Sequence, residues 1–230
     1  MLQMQIKFIL NITTRVLKRL YLGPFDSFLK EVNGVIHIGA NEGQEREHYS
    51  KYGLQKVLWI EADPEAFKKL KKNIKNIKNQ TALNYLVLDK KKINNFYISN
   101  ANGNASSILE FSTHKKMYPD VKYIKKISLM SYTLCNIIKK DKISIKDYQT
   151  LILDTQGSEL QILKGANKLL KNFKYIKLEA SNFELYKNNP VLKEIADYLK
   201  NYNFIEVKKI TIDQNKNREK VFDVLFASKN

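Results

Sequence analysis

Three short runs in this sequence set carboxylates, amides and small residues where they can hold a polar ligand. The first is His37-Ile38-Gly39-Ala40-Asn41-Glu42-Gly43, directly after an apolar stretch. Small residues there let the main chain approach a ligand closely. Their G-x-x-x-G spacing is not the G-x-G-x-x-G of dinucleotide sites. The second run is Glu61-Ala62, at the end of Lys56–Ile60. A glutamate ionised at neutral pH can accept two hydrogen bonds from the 2′- and 3′-hydroxyls of an adenosine ribose, each contributing about 1.5–3 kcal/mol. The third is Asp154-Thr155-Gln156-Gly157-Ser158-Glu159. Asp154 is expected to project toward the reacting group, and Gln156 can hydrogen-bond cofactor or substrate. Glu159 opens a helix, where a capping role competes with a chemical one.

Two further carboxylates belong to the same pattern. Leu88-Asp89 is expected to meet an adenine, with an apolar face beside it and an acid near its amino group; a turn aspartate before Lys90–Lys92 explains it equally well. Glu179 ends Tyr175–Glu179 and faces the same crevice. Like charges gathered in one cleft cost stability, so their convergence points to function.

The elements that position these residues are read from periodicity. Gly34–Ile38, Lys56–Glu61, Thr81–Leu88, Leu151–Asp154 and Tyr175–Glu179 are short apolar strands. Helices are expected over Glu42–Tyr52 with Gly53 as its stop, from Pro64 with Asp63 as its cap, over Ser158–Leu170 and over Val191–Asn201. Ile93–Ser99 alternates and reads as an inserted strand, and Asn100–Asn104 is turn chemistry. Residues 105–146 are the least legible and mix short strands with basic loops and a helix near Leu134–Lys140. Phe204–Lys209 and Val221–Ala227 close the chain as strands joined by the polar turn Asp213–Asn217. Repeated strand–helix alternation means an α/β, doubly wound, mostly parallel sheet with helices on both faces. Two final strands with no helix between them must pair antiparallel. A seven-stranded sheet of this kind, ending in an antiparallel hairpin, is the class I methyltransferase variant of the Rossmann-like fold. In such a fold the ligand lies beyond the carboxyl ends of the strands, where all three runs sit.

Composition bounds the alternatives. Hydrophobic residues make up 43% of the 230-residue chain, which argues for a packed core despite many charges. The single cysteine, Cys135, cannot form an internal disulfide, and no Cys/His cluster has zinc spacing, so a reducing, cytoplasmic compartment is expected. The net charge of +17 invites an anionic partner such as nucleic acid, a membrane surface or a phosphorylated substrate. Against that, Lys, Asn, Ile and Tyr are abundant together, as AT-rich coding produces, and the lysines are dispersed. Residues 1–33 are expected to be an N-terminal helical extension to a domain spanning 34–230. Within it, 5–22 has apolar residues at helical spacing but is broken by Lys7, Arg15, Lys18 and Arg19. It is too charged to span a bilayer. A helix packed on the domain is favoured over a basic helix touching a membrane.

The segments VIHIGANEG (Val35–Gly43), WIEADPEAF (Trp59–Phe67), NASSIL (Asn104–Leu109), LILDTQGSELQILKGA (Leu151–Ala166) and IKLEAS (Ile176–Ser181) resemble the FkbM family of methyltransferases. The resemblance runs from about Val35 to Phe204, and its most specific element is D-x-Q-G-x-E at Asp154–Glu159. It implies S-adenosylmethionine as cofactor and O-methylation of a hydroxyl on a glycan or other small molecule; the basic surface would suit an acidic or phosphorylated sugar, but equally has no bearing on the acceptor. On that basis His37, Gly39, Ala40, Asn41, Gly43, Glu61, Ala62, Leu88, Asp89 and Gln156 are the expected cofactor residues. Asp154 is the first candidate for general base, with Glu159 and Glu179 behind it. Ser106, Ser107 and Tyr118, with His114, are expected at the acceptor, and no dedicated metal signature is present. The chain departs from the family at His37, where an acid is common; a buried neutral histidine is the default reading. The residues without the resemblance reach only an adenosine-type cofactor in an α/β cleft. A nucleic-acid methyltransferase is disfavoured because D-T-Q-G stands where base N-methylating enzymes carry D/N-P-P-Y, and Cys135 lacks a preceding proline. A nicotinamide oxidoreductase lacks its glycine fingerprint. A catalytically degenerate protein of this fold finds its best support in His37.

Overall fold

The computed structural model describes residues 25–229. The expected helix over 5–22 and its membrane contact lie outside the described residues. Among the described residues there are ten strands: β1 (Gly34–Ile38), β2 (Lys56–Glu61), β3 (Gln80–Asn84), β4 (Leu86–Val87), β5 (Ile93–Ser99), β6 (Tyr123–Tyr132), β7 (Thr150–Leu153), β8 (Tyr175–Ser181), β9 (Phe204–Gln214) and β10 (Lys220–Ser228). The helices are α1 (Arg46–Lys51), α2 (Pro64–Ile74), α3 (His114–Met117), α4 (Leu134–Lys140), α5 (Glu159–Ala166) and α6 (Leu192–Lys200). Among the described residues no helix is long and apolar enough to cross a membrane.

The main sheet has the order β3-β2-β1-β7-β8-β10-β9. Its first five strands run parallel, and β10 inserts antiparallel between β8 and β9. The central strands are continuous apolar runs because both faces are covered. Alternation assigns each residue to a face. Ile36, Ile38, Leu58, Ile60, Leu151, Leu153, Ile176 and Leu178 share one core with Leu134 and Ile137 of α4, Leu163 of α5 and Ile195 and Leu199 of α6. Val35, Val57, Trp59 and Ile152 share the opposite core with Tyr49 of α1, Leu70 and Ile74 of α2, and Phe25, Phe28 and Leu29. Those last three belong to a 3-10 helix, Phe25–Glu31, so the end of the N-terminal segment closes this face. Asp63 accepts a hydrogen bond from the Glu65 amide at 2.9 Å, and Pro64 fills the first helical position of α2, as the sequence predicts.

Several boundaries differ from the expectation, two of them where the backbone turns left-handed. The helix expected from Glu42 starts at Arg46, because Asn41 (φ 46°) and Gly43 (φ 73°) spend the preceding residues on a left-handed turn. The strand expected over Thr81–Leu88 is two strands. β3 stays in the main sheet, while β4 joins β6 and β5 in a separate three-stranded sheet. The helix expected over Ser158–Leu170 breaks at Asn167 (φ 37°) and continues as a 3-10 turn. In the illegible stretch, β6 is a ten-residue strand that pairs antiparallel with β5.

Gly39 and Gly53 both have left-handed φ, at 83° and 72°, but their surroundings differ. A Cβ on Gly39 would lie 2.0 Å from the carbonyl oxygen of Asp154, whereas one on Gly53 meets nothing within 4 Å. Gly53→Ala is therefore expected to cost only the left-handed penalty, about 1–2 kcal/mol, while Gly39→Ala must also push the end of β7 away and costs more. Urea denaturation of the two variants measures the difference, and equal losses would contradict this packing.

Candidate functional site

The turn leaving β1 is tied to the end of β2. The amides of Gly39 and Ala40 both donate to the Ile60 carbonyl, at 2.9 and 3.2 Å, and the Gly43 amide closes the turn on Ala40 at 2.8 Å. Glu61 completes the junction. Its Oε2 accepts from the Asn41 amide at 2.6 Å and its Oε1 from the Asp63 amide at 2.7 Å. One side chain thus orders the loops after β1 and β2 together. Each carboxylate oxygen has two lone pairs, so one on each remains for a ligand. Glu61 is 7% exposed. Burial pushes its pKa from 4.5 to about 7, against the pull of the Asp63 and Asn41 amides, with Asp63's charge adding to the rise. Asn41 also reaches over the cleft, donating from Nδ2 to the Asn102 carbonyl at 2.9 Å and to Asn104 Oδ1 at 2.8 Å. The loop Asn100–Asn104 is thereby held as a roof.

The exit of β7 is braced from two sides. Gln156 adopts a left-handed φ of 56° and Gly157 one of 102°, a conformation that costs energy and concentrates at functional sites. Tyr186 Oη donates to Gln156 Oε1 at 2.6 Å, which leaves the amide Nε2 to donate to Asp154 Oδ1 at 2.8 Å. Ser107 Oγ donates to the Gln156 carbonyl at 2.8 Å. The Asp154 carboxylate is thus oriented through Gln156 by a buried tyrosine beyond β8. The register Leu153↔Leu178 sets Asp154 beside Glu179, which stands opposite Asp223 of β10.

These strand ends enclose one cavity of about 480 Å³. Its lining includes His37, Gly39, Asn41, Glu61, Ala62, Gln156, Asp154 and Glu179, with Ser106 and Tyr118 from the segment between β5 and β6. Tyr118 donates a short hydrogen bond to Asp213 of β9. Ala40 and Gly43 shape the turn behind the wall. Leu88 and Asp89 lie outside the cavity: Leu88 is fully buried in the small sheet's core and Asp89 is exposed. Tyr85, Leu86 and Val87 take their place, because the chain leaves the main sheet after Asn84. Glu159 also turns away. Its carboxylate accepts from the Thr155 amide and hydroxyl, both at 3.1 Å, and from the Gly157 amide at 3.1 Å, so it ties down the loop that leads into its own helix. Ser107 is spent on Gln156, and His114 is stacked on Phe111 with ring centres 4.2 Å apart.

His37 is buried, as expected. Its Nδ1 is hydrogen-bonded to Tyr49 Oη at 2.9 Å and its ring packs 5.3 Å from that of Trp59. The cavity also has a wing that sequence reasoning missed, over the faces of β7, β8 and β10. There Asp26 accepts from Lys177 Nζ at 2.8 Å and pairs with His48 Nε2 at 2.9 Å. Burial opposes the charge of Asp26, but the hydrogen bonds from His48 and Lys177 prevail and hold its pKa below the ordinary value. Among the described residues no three His, Cys, Asp or Glu side chains are arranged to hold a metal ion.

The profile of the methyltransferase FkbM domain matches residues 37–206. A protein named 2-O-methyltransferase NoeI, from Sinorhizobium fredii (strain NBRC 101917 / NGR234), is 22% identical over 178 residues, which cover 74% of this chain and 72% of that protein. Among solved structures, M. capricolum TrmK in complex with S-adenosyl-homocysteine has a TM-score of 0.51 at 8% identity, covering 90% of this chain and 69% of that one. Magnesium protoporphyrin IX methyltransferase (ChlM) from Synechocystis PCC 6803, with bound SAM, has a TM-score of 0.51 at 8% identity, covering 99% and 83%. At such identities the likeness is one of fold, the Rossmann-like class I methyltransferase fold.

The raised pKa of Glu61 has a thermodynamic sign. Between the ordinary 4.5 and about 7 the folded state holds a proton that the unfolded state has released. Stability from this group is therefore complete below 4.5 and is lost as the pH rises through about 7. Glu159, also raised to about 7 by burial, adds a second loss in the same window. Urea midpoints measured across this range should fall with pH, and Glu61→Gln should remove about half of that slope. An unchanged slope would show that Glu61 titrates normally.

Proposed function

We propose that this chain, which belongs to the FkbM methyltransferase family, transfers a methyl group from S-adenosylmethionine to a hydroxyl of a sugar or other small molecule in a reducing, cytoplasmic compartment. The carrying observation is Glu61. It is a buried carboxylate at the end of the second strand, its oxygens are aimed by two main-chain amides, and among the described residues it has no cationic partner. Such a group suits the two hydroxyls of an adenosine ribose, which donate to the remaining lone pairs. Gly39 and Asn41 let the cofactor lie against the main chain, and Tyr85, Leu86 and Val87 offer apolar and aromatic surface to its base. When bound, the cofactor supplies an electrophilic methyl group on a positively charged sulfur, which suits a cleft rich in carboxylates. The similarity to a protein named as a 2-O-methyltransferase supports oxygen as the accepting atom.

A hydroxyl is a weak nucleophile, and a positioned base assists it. Asp154 takes that role here. Gln156 and Tyr186 fix its carboxylate and Glu179 stands beside it. Asp154 would take the proton of the acceptor hydroxyl, whose oxygen would receive the methyl group that bound S-adenosylmethionine would supply, leaving S-adenosylhomocysteine. Holding the acceptor in line supplies much of the rate; Ser106 and Tyr118, which line the cavity from the inserted segment, would serve this. His37 contributes to the wall, with Tyr49 fixing its ring.

Purified protein given methyl-labelled S-adenosylmethionine and a panel of sugars should produce S-adenosylhomocysteine only with a hydroxyl acceptor. Asp154→Asn is expected to lower turnover about 100-fold while leaving S-adenosylhomocysteine affinity near that of the wild type. Equal loss of both would reassign Asp154 to cofactor binding.

A further inference from the structure

Asp223 is a charge set inside an apolar strand. The surrounding run is Val221-Phe222-Asp223-Val224-Leu225-Phe226, and Asp223 is only 3% exposed. What surface it keeps lines the cavity. Among the described residues no N–H or O–H donates a hydrogen bond to its carboxylate. The nearest cation, Lys177 Nζ, stands 3.9 Å away and is already engaged with Asp26 at 2.8 Å. A buried carboxylate without a donor is costly, and such a group calls for a specific explanation. Its place in the sheet supplies one. Asp223 lies opposite Glu179, in the same row as Asp154, on the side of the cavity away from Glu61.

The rest of the lining agrees in sign. Eight carboxylates and a single lysine line the cavity, with no arginine, although the chain as a whole carries +17. In a cleft of low dielectric these charges act more strongly than on the surface. An anionic acceptor drawn to the basic exterior would be repelled at the site itself.

We propose that Asp223, beside Glu179, is the acceptor-recognising carboxylate. It accepts a hydrogen bond from a hydroxyl or amino group of the acceptor, and the cavity selects polyhydroxylated acceptors that carry no anionic group. This rests on the cavity being a methyltransferase site. Phosphorylated sugars and uronic acids are rejected despite the chain's net charge.

The test uses the full chain saturated with S-adenosylhomocysteine, titrated with methyl hexosides in four forms: neutral, 2-amino, uronate and 6-phosphate. Ligand-observed NMR reads the binding. The neutral and amino forms should bind, and the uronate and phosphate at least about tenfold more weakly. Asp223→Asn should weaken the amino form about tenfold or more, with S-adenosylhomocysteine affinity unchanged. It should also leave the urea midpoint unchanged or raised, because the charge it removes has no hydrogen-bond donor; a structural partner of Lys177 would instead lose stability when replaced. Anionic forms binding as well as the neutral parent, no form binding to the loaded protein, or an Asn variant that binds all forms like the wild type would overturn the assignment. Wild-type protein that fails to bind S-adenosylhomocysteine would overturn the methyltransferase reading and this inference with it. Binding of S-adenosylhomocysteine alongside any of the other failures overturns this inference alone.

Discussion

A single buried carboxylate joins the two loops on which the site is built. Glu61 takes one amide from the turn after β1 and one from the turn after β2, at 2.6 and 2.7 Å. The main chain around it leaves little slack. The Ile60 carbonyl receives two amides of the first turn, and no side chain can be added at residue 39 without striking the Asp154 carbonyl. The ends of β1, β2 and β7 are therefore one interlocked unit. Its cost is a desolvated acid whose pKa rises to about 7. Strongly shifted carboxylates of this kind concentrate at functional sites, and Glu61 lines the cavity.

The sheet makes this arrangement possible by dividing its two faces between different tasks. One face, with Ile36, Leu58, Leu151 and Leu178, is apolar throughout and anchors α4, α5 and α6. The other mixes apolar residues with His37, Lys177, Glu179 and Asp223, and is closed by α1, α2 and the turn at Phe25–Glu31. The larger apolar core lies on the first face, and the cavity's carboxylates Glu61, Asp154, Glu179 and Asp223 stand on the second. The inserted strands β5 and β6 then roof the cleft, pinned by Asn41 to the loop at Asn100–Asn104 and by Ser107 to Gln156.

Much of this was legible in the residues. Buried central strands advertise themselves as short β-branched runs, and left-handed turns at Gly39, Gly43 and Gly157 carry the residue that such turns favour. The family match over residues 37–206 agrees with the resemblance carried by VIHIGANEG and D-x-Q-G-x-E. The strand β6 was not legible, because it is exposed along much of its length and has no continuous apolar face to report. Leu88 and Asp89 were expected one step too far along the chain, since nothing local marks the point where Tyr85 leaves the main sheet. Glu159 could not be told from a chemical acid without its partners. The polar wing escaped notice for a different reason: Asp26, His48, Lys177 and Asp223 meet only through tertiary structure. Yet Lys177 and Asp223 each interrupt an apolar strand, and a charge in a run destined for burial is a signal that can be read in advance.

The proposed methyl transfer requires an adenosyl ligand resting against Glu61. Calorimetric titration of the purified chain with S-adenosylhomocysteine, with NAD as control and Glu61→Gln alongside, tests this directly. Micromolar binding of S-adenosylhomocysteine, little or none of NAD, and a loss of affinity of about tenfold or more in the variant are the predicted result. Failure to bind S-adenosylhomocysteine, or binding that the Glu61 substitution leaves untouched, would contradict it.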